Sequence, residues 1–258
     1  MMDKLATIRK DALEGVEYEV DEHGNETGIF YDQNGNRIKP WHSLIYETLG
    51  GFPPPGEWIA IDCGANVGEL TKSFYEKGAL VYAFEPNKAA FEYLNDRVNT
   101  PGIKCYNKAV SDKSGTMKLY MHRKLKGVEY CHWKEDEQAF IDHVNFSQGC
   151  SLKFDKRNVD EDHYQEVECI RLCSFIQKIM NDPTLPDIFL LKIDVEGAEV
   201  DLLRDLLDTG LAKKIPVILV ETHDQKVPSI ADEMAKIRKR IDAGRMHGLY
   251  HNIHLNWL

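Results

Sequence analysis

Long hydrophobic runs are missing from this chain. Nothing in its 258 residues approaches the roughly 18 consecutive apolar positions that a bilayer crossing needs, so no transmembrane helix is expected. The N-terminal Met1-Met2-Asp3-Lys4-Leu5 has no apolar stretch of signal-peptide type, and export by that route is not expected. An excess of positive charge is also absent: Lys and Arg total 32 against 42 Asp and Glu, a formal net charge of −10. That balance excludes a chain whose main task is gripping a phosphate backbone, and no nucleic-acid partner is expected. Six cysteines are present, but none forms a Cys-x-x-Cys pair and their spacings match no zinc framework. They read as reduced thiols in a reducing, cytoplasmic setting, several of them serving as small buried apolar side chains. There is no internal repeat and no low-complexity tract. What remains, 43% apolar and 29% charged residues, suits a globular chain with one sizeable core.

Two regions differ in rhythm. Residues 1–50 read as an extension of short strands and a helix. Val16–Val20 alternates apolar and acidic residues, and Gly24-Asn25 and Asn34-Gly35 are turn signals. A helix is expected from about Trp41 to Leu49, ended by Gly50-Gly51, and Phe52–Gly56 is a stiff linker. This strand-rich extension leaves room for pairing across a homodimer. From residue 51 to 258 buried strands alternate with helices. Strands are expected at 58–61, 80–84, 103–110, 188–193 and 217–220, with a weakly alternating last segment from 251. Helices are expected near 69–77, 88–98, 198–207 and 230–241. Such alternation implies a mostly parallel, doubly wound α/β sheet. Residues 116–172 break the pattern and read as an insertion over one sheet edge, either a lid or a surface loop.

Three strand ends carry chemistry. The first is Asp62-Cys63-Gly64-Ala65-Asn66-Val67-Gly68, between a strand and a helix. Its glycines permit a tight turn and a close approach to backbone, and the helix N-terminus offers unpaired amides. A dinucleotide loop would want glycines where Asn66 and Glu69 stand, which disfavours a nucleotide-linked dehydrogenase. The acids Asp62 and Glu69 suit a cationic ligand such as S-adenosylmethionine better than a pyrophosphate. The second is Phe84-Glu85-Pro86-Asn87, with Glu85 lying 21 residues after Gly64, where an acid can accept both hydroxyls of a ribose. The bland alternative is a helix cap at Pro86-Asn87. The third is Lys192-Ile193-Asp194-Val195-Glu196-Gly197-Ala198-Glu199, at the carboxyl-end rim where open parallel sheets bind ligands. Glu196 and Glu199 there also fit plain decoration of a helix N-terminus.

These strings, with Ala109-Val110-Ser111-Asp112 between the second and third, occur in an order that resembles the FkbM family of S-adenosylmethionine-dependent methyltransferases. The likeness runs from about residue 57 to 225, and Asp194–Glu199 is its most specific part. It implies a class I methyltransferase fold, a seven-stranded Rossmann-like sheet with the last strand antiparallel. It also implies methyl transfer to oxygen, most often a hydroxyl of a sugar, sugar nucleotide or glycan. Carried over by position, Asp62, Gly64, Asn66 and Gly68 would line the methionine end of the cofactor, with Asp194 near them. Glu85 would hold the ribose, with Pro86 and Asn87 beside it, and Ala109, Val110 and Asp112 would lie along the adenine. Leu172-Cys173 departs from the Leu-Asp common in the family.

Glu221-Thr222-His223-Asp224 closes the fifth strand at the same rim. His223 or Asp194 is the expected general base for the acceptor hydroxyl, and Glu196 and Lys192 are expected to orient it. A divalent metal held by Asp194, Glu221 and His223 is the less favoured alternative. His247, His251 and His254 read as surface or packing residues. A nucleic-acid methyltransferase would carry an Asn/Asp-Pro-Pro-aromatic loop where Asp194–Gly197 stands. Another small-molecule acceptor, or a non-catalytic cofactor-binding module, remains as an alternative.

Overall fold

The computed structural model describes residues 45, 48–98, 100–130, 132 and 135–256, and before them the segments 17–20, 26–31 and 37–38. They fall into two compact units that divide between Phe52 and Pro53. The first holds an antiparallel sheet of β1 (Glu17–Val20), β2 (Glu26–Tyr31) and β3 (Arg37–Ile38) in that order. The two expected turn dipeptides lie outside the described residues. So does most of the expected helix, of which Ile45, Thr48 and Leu49 are helical.

The second unit is built on a parallel sheet. Its first half runs β4 (Trp58–Cys63), α1 (Glu69–Glu76), β5 (Leu80–Phe84), α2 (Lys88–Arg97) and β6 (Ile103–Tyr106). Its second half runs α4 (Leu172–Met180), β10 (Asp187–Ile193), α5 (Glu199–Asp208), β11 (Val217–Val220), α6 (Ala231–Met246) and β12 (Ile253–Leu255). The strand order is β12-β11-β10-β4-β5-β6. The chain therefore winds outward from β4 in one direction and restarts from β10 in the other, which puts the topological switch point between β4 and β10. All six residues of β4 are buried, as a strand covered on both faces requires. The register pairs Lys192 with Asp62 and Asp62 with Ala83, so the carboxyl ends of β10, β4 and β5 finish level.

Two expectations are corrected. Among the described residues the central sheet has six strands, and β12 pairs parallel with β11. Helix α6 carries the chain back across the sheet before β12, and a helical crossover returns a strand in the same direction. The expected strand 103–110 is two strands in two sheets. At the break, the Asn107 amide donates to the carbonyls of Glu85 and Pro86, and β7 (Ala109–Ser111) leaves to pair with β9 (Val159–Arg171). Among the described residues of the expected insertion 116–172, strands build a second sheet. β8 (Gly115–His122) pairs antiparallel with β9, α3 (Glu137–Phe146) follows β8, and the sheet order is β7-β9-β8. This layer has its own core of Ala109, Leu119, Met121, Leu125, Cys150, Val167 and Cys169.

Cys63, Cys150, Cys169 and Cys173 are free and buried, as small apolar side chains would be. Under β5, the Phe84 ring stacks on Tyr106 at 5.0 Å and meets Phe175 edge-on at 5.0 Å. This aromatic cluster sets the end of β5 and so the position of the next residue, Glu85. Phe84→Ala should cost about 3–5 kcal/mol in chemical denaturation, and Phe84→Leu distinctly less. Equal losses for the two would show that the rings contribute no more than apolar volume.

Candidate active site

The loop after β4 and the loop after β10 lean directly on each other. Gly64 has φ +78°, and a Cβ there would lie 1.7 Å from the carbonyl oxygen of Asp194. The glycine is therefore demanded by the neighbouring backbone. Gly68 caps α1 at φ +84°, and its missing Cβ makes room for Leu94. The Asp194 amide donates to the Cys63 carbonyl at 3.0 Å. The tie between the loops is Lys192, 2% exposed. Its ammonium donates to the Gly64 carbonyl at 2.7 Å and sits 3.1 Å from Asp62 Oδ1 and 3.5 Å from Asp194 Oδ2. The other oxygen of Asp62 accepts from the Thr71 hydroxyl at 2.6 Å. Burial alone would push the Lys192 amine down, but Asp62 and Asp194 outweigh it and hold it protonated. Asp62 and Lys192 are thus committed to each other and to the loops.

Glu85 ends the next strand, buried to 6%. One carboxylate oxygen accepts the Asn66 amide and the other the Asn87 amide, both at 2.8 Å. Asn66 reaches this position with a left-handed backbone, φ +50°. Asn87 caps α2 by accepting the Ala90 amide, so it serves the helix as well as the rim. Burial lifts the Glu85 carboxyl to about 7, against the opposing pull of the two amides and Lys192. Ala109 and Val110 are buried in β7, and Asp112 follows, accepting the Ser111 hydroxyl at 3.0 Å.

The far side of the rim is a histidine ringed by carboxylates. His223 is 1% exposed. Its Nε2 lies 3.2 Å from Glu196, 3.7 Å from Glu221 and 3.8 Å from Asp194, and its Nδ1 lies 3.5 Å from Glu199. Burial would lower the imidazole, but Glu199, Glu196 and Asp194 outweigh it and raise it above its ordinary value. Burial and Asp194 raise the Glu221 carboxyl. Glu196 holds a left-handed backbone at φ +53°, an uncommon geometry for a residue with this side chain. Its carbonyl takes the Ser151 hydroxyl, and its carboxylate takes the buried Lys156 ammonium at 2.6 Å. Beside Glu196 and Lys156 opens a cavity of about 260 Å³, lined also by His122, Asn145, Phe146, Gln148 and Asn158.

The structure therefore brings together Asp194, Glu196, Glu221 and His223, as expected, and places Asp62, Gly64, Asn66, Gly68 and Glu85 along the adjoining loops. Lys192 stands behind them, its ammonium in contact with the Gly64 carbonyl, Asp62 and Asp194. Two residues escaped the sequence reading. Lys156 is a buried cation inside the 116–172 layer, where only its neighbours in space reveal its purpose. Glu199 is fully buried, accepting the Gly197 amide at 2.7 Å and the His223 amide at 2.6 Å. An acid in the first helical turn gives no sequence signal that distinguishes such a clasp from surface decoration.

The profile of the methyltransferase FkbM domain matches residues 62–247, which spans both loops and the histidine cluster. The chain belongs to the FkbM methyltransferase family. The FkbM domain is 27% identical over 181 residues to "Methyltransferase 1" of Beauveria bassiana, covering 67% of this chain and 68% of that protein. It is 28% identical over 186 residues to "Methyltransferase sdnD" of Sordaria araneosa, covering 66% and 68% respectively. It is also 28% identical over 197 residues to the AMB antimetabolite synthetase AmbE of Pseudomonas aeruginosa, covering 70% of this chain but 9% of that much longer protein. No solved structure matches.

Glu85 gives a pH signature. Its pKa rises from 4.5 to about 7 on folding, so the folded state binds the proton more tightly than the unfolded state. The stability this contributes is fully present below about 4.5 and is lost as pH rises through about 7. The stability difference between wild type and Glu85→Gln should therefore change by a few kcal/mol between pH 4.5 and 7.5, with wild type losing ground as pH rises. Denaturant titrations across that range check it, and a pH-independent difference would contradict it.

Proposed function

We propose that the FkbM domain transfers a methyl group from S-adenosylmethionine to a hydroxyl of a sugar, sugar nucleotide or glycan. The observation that carries this reading is the meeting, along the carboxyl-end rim, of the nearly buried Glu85 carboxylate, a glycine turn among acids, and a cavity beside Glu196 and Lys156 that Asn145, Gln148 and Asn158 line. The residues fit the cofactor on their own chemistry. Glu85 is a nearly buried carboxylate whose present donors are two backbone amides, so lone pairs remain for a ribose diol. Around the loop the carboxylates of Asp62, Glu85 and Asp194 outnumber the one ammonium, Lys192, which suits a sulfonium and an ammonium better than a pyrophosphate.

When bound, S-adenosylmethionine supplies a methyl carbon already activated by its sulfonium, which departs as a neutral thioether. The chain's own task is to position the acceptor and take its proton. Asn145, Gln148 and Asn158 offer amide donors and acceptors that match hydroxyl groups, and the Phe146 ring offers an apolar face to a sugar ring. Asp194 is our choice of general base. Its side chain keeps 24% of its surface at the rim, whereas His223 lies behind it with 1%. The Asp194 carboxylate would take the acceptor hydroxyl's proton as that oxygen is methylated. Glu196, its carboxylate paired with Lys156 at 2.6 Å, and Lys192 orient the acceptor, and His223 positions the carboxylates around it. The likeness to AmbE favours, as a second reading, a small-molecule acceptor other than a sugar.

The test is methyl transfer from labelled S-adenosylmethionine to a panel of sugar nucleotides, oligosaccharides and small hydroxylated acceptors. Asp194→Asn should lower kcat by roughly 10²–10⁴ while cofactor affinity changes less than about threefold. Full turnover by that variant would remove Asp194 from the base role. Cofactor binding without transfer to any acceptor would favour a non-catalytic module.

A further inference from the structure

We propose that Asp194, Glu196 and His223 form a divalent-cation site at the rim of β10 and β11, one that accepts a hard to borderline ion such as manganese or magnesium. One ligand atom from each residue lies within 4.8 Å of the others, a spacing that a single ion can bridge. Two carboxylates with one imidazole make a donor set for such ions, and no thiolate stands among them to favour a softer metal.

The imidazole supplies the independent observation. His223 is 1% exposed, yet neither ring nitrogen has a hydrogen-bond partner. Its Nε2 is aimed into the gap between Glu196, Glu221 and Asp194, close to all three and aligned for a hydrogen bond with none. A buried polar nitrogen left in that state costs about 1–3 kcal/mol unless something else occupies the gap. Behind the ring, Glu199 stands 3.5 Å from Nδ1, and its carboxylate is pinned by the amides of Gly197 and His223. That is the arrangement in which an outer carboxylate orients a metal-binding histidine.

Charge points the same way. Four carboxylates, Asp194, Glu196, Glu199 and Glu221, surround one imidazole; Lys156 and Lys192 are in ion-pair contact with them, Lys192 being shared with Asp62, and Lys226 acts on Glu221 from further off. A dication would offset negative charge that these ammonium groups leave. Glu196 takes the place that sequence spacing had assigned to Glu221, because its left-handed backbone swings the carboxylate to 3.2 Å from the imidazole. Glu221 at 3.7 Å remains a further oxygen within reach. The inference deepens the transferase reading and rests on it only for the ion's use, which would be to lower the pKa of an acceptor hydroxyl.

The full-length chain, stripped of metal by chelation, should take up close to one Mn²⁺ saturably. Loss of the free-ion signal in electron paramagnetic resonance and calorimetry read this. Glu196→Gln and His223→Gln should each weaken uptake at least tenfold, whereas Asp201→Asn, which weakens ion pairs with Lys153 and Arg204 outside the cluster, should leave it unchanged. Mn²⁺ should also raise the melting temperature of the wild type. Absence of saturable uptake by the wild type overturns the proposal, and this arm decides alone if a variant fails to fold. Unchanged affinity in both folded variants overturns it as well. Methyl transfer that persists under exhaustive chelation, alongside no Mn²⁺ uptake, removes the ion and leaves the transferase reading standing. Saturable Mn²⁺ uptake with no transfer to any acceptor supports the site and removes the transferase reading instead.

Discussion

One buried ammonium holds the two halves of the sheet together where they meet. Lys192 rises from the end of β10 and reaches back to Asp62, at the end of β4, and to the carbonyl of Gly64 beyond it. Burying a charged pair is expensive, and losing one partner of such a pair costs about 3–5 kcal/mol because the other is stranded. The same group also touches Asp194, the most exposed of its partners. Glycine at position 64 lets the two loops close against each other. The consequence is a junction that carries the glycine loop after β4 on one side and the carboxylate cluster on the other.

Everything functional is arranged around that junction by strand register. β5 ends level with β4 and presents Glu85, and β11 ends beside β10 and presents Glu221, then His223. The layer formed by β7, β8, α3 and β9 supplies what the central sheet does not. From it Ser151 fixes the backbone of Glu196, and Lys156 neutralises its side chain. The segment that interrupts the alternating pattern thus helps to build the rim, and the cavity lies between it and the loops after β10 and β11.

Much of this was legible in the sequence because buried parallel strands leave continuous apolar runs with chemistry at their ends. The strands at 58, 80, 188 and 217 announce themselves in that way, and Asp62, Glu85, Asp194 and His223 follow directly from where those runs stop. The last strand's direction was read from family likeness, and the helical crossover through α6 sets it differently. The split after Tyr106 is hidden because Ile103, Cys105, Tyr106, Ala109 and Val110 give both halves a strand-like apolar content, and only the Asn107 side chain marks the bend. Least legible were the roles of Lys156, Glu199 and Lys192. A lysine or glutamate reads as a solvated charge until its partners, which lie far along the chain, are known.

The central claim is that the loops after β4, β5 and β10 form one binding surface for an adenosyl donor. Amide hydrogen exchange with and without S-adenosylhomocysteine tests it most directly. The account predicts joint protection of residues 63–68, 85–87 and 194–197 at a single ligand midpoint. No protection, or protection confined to one of the three segments, would contradict it.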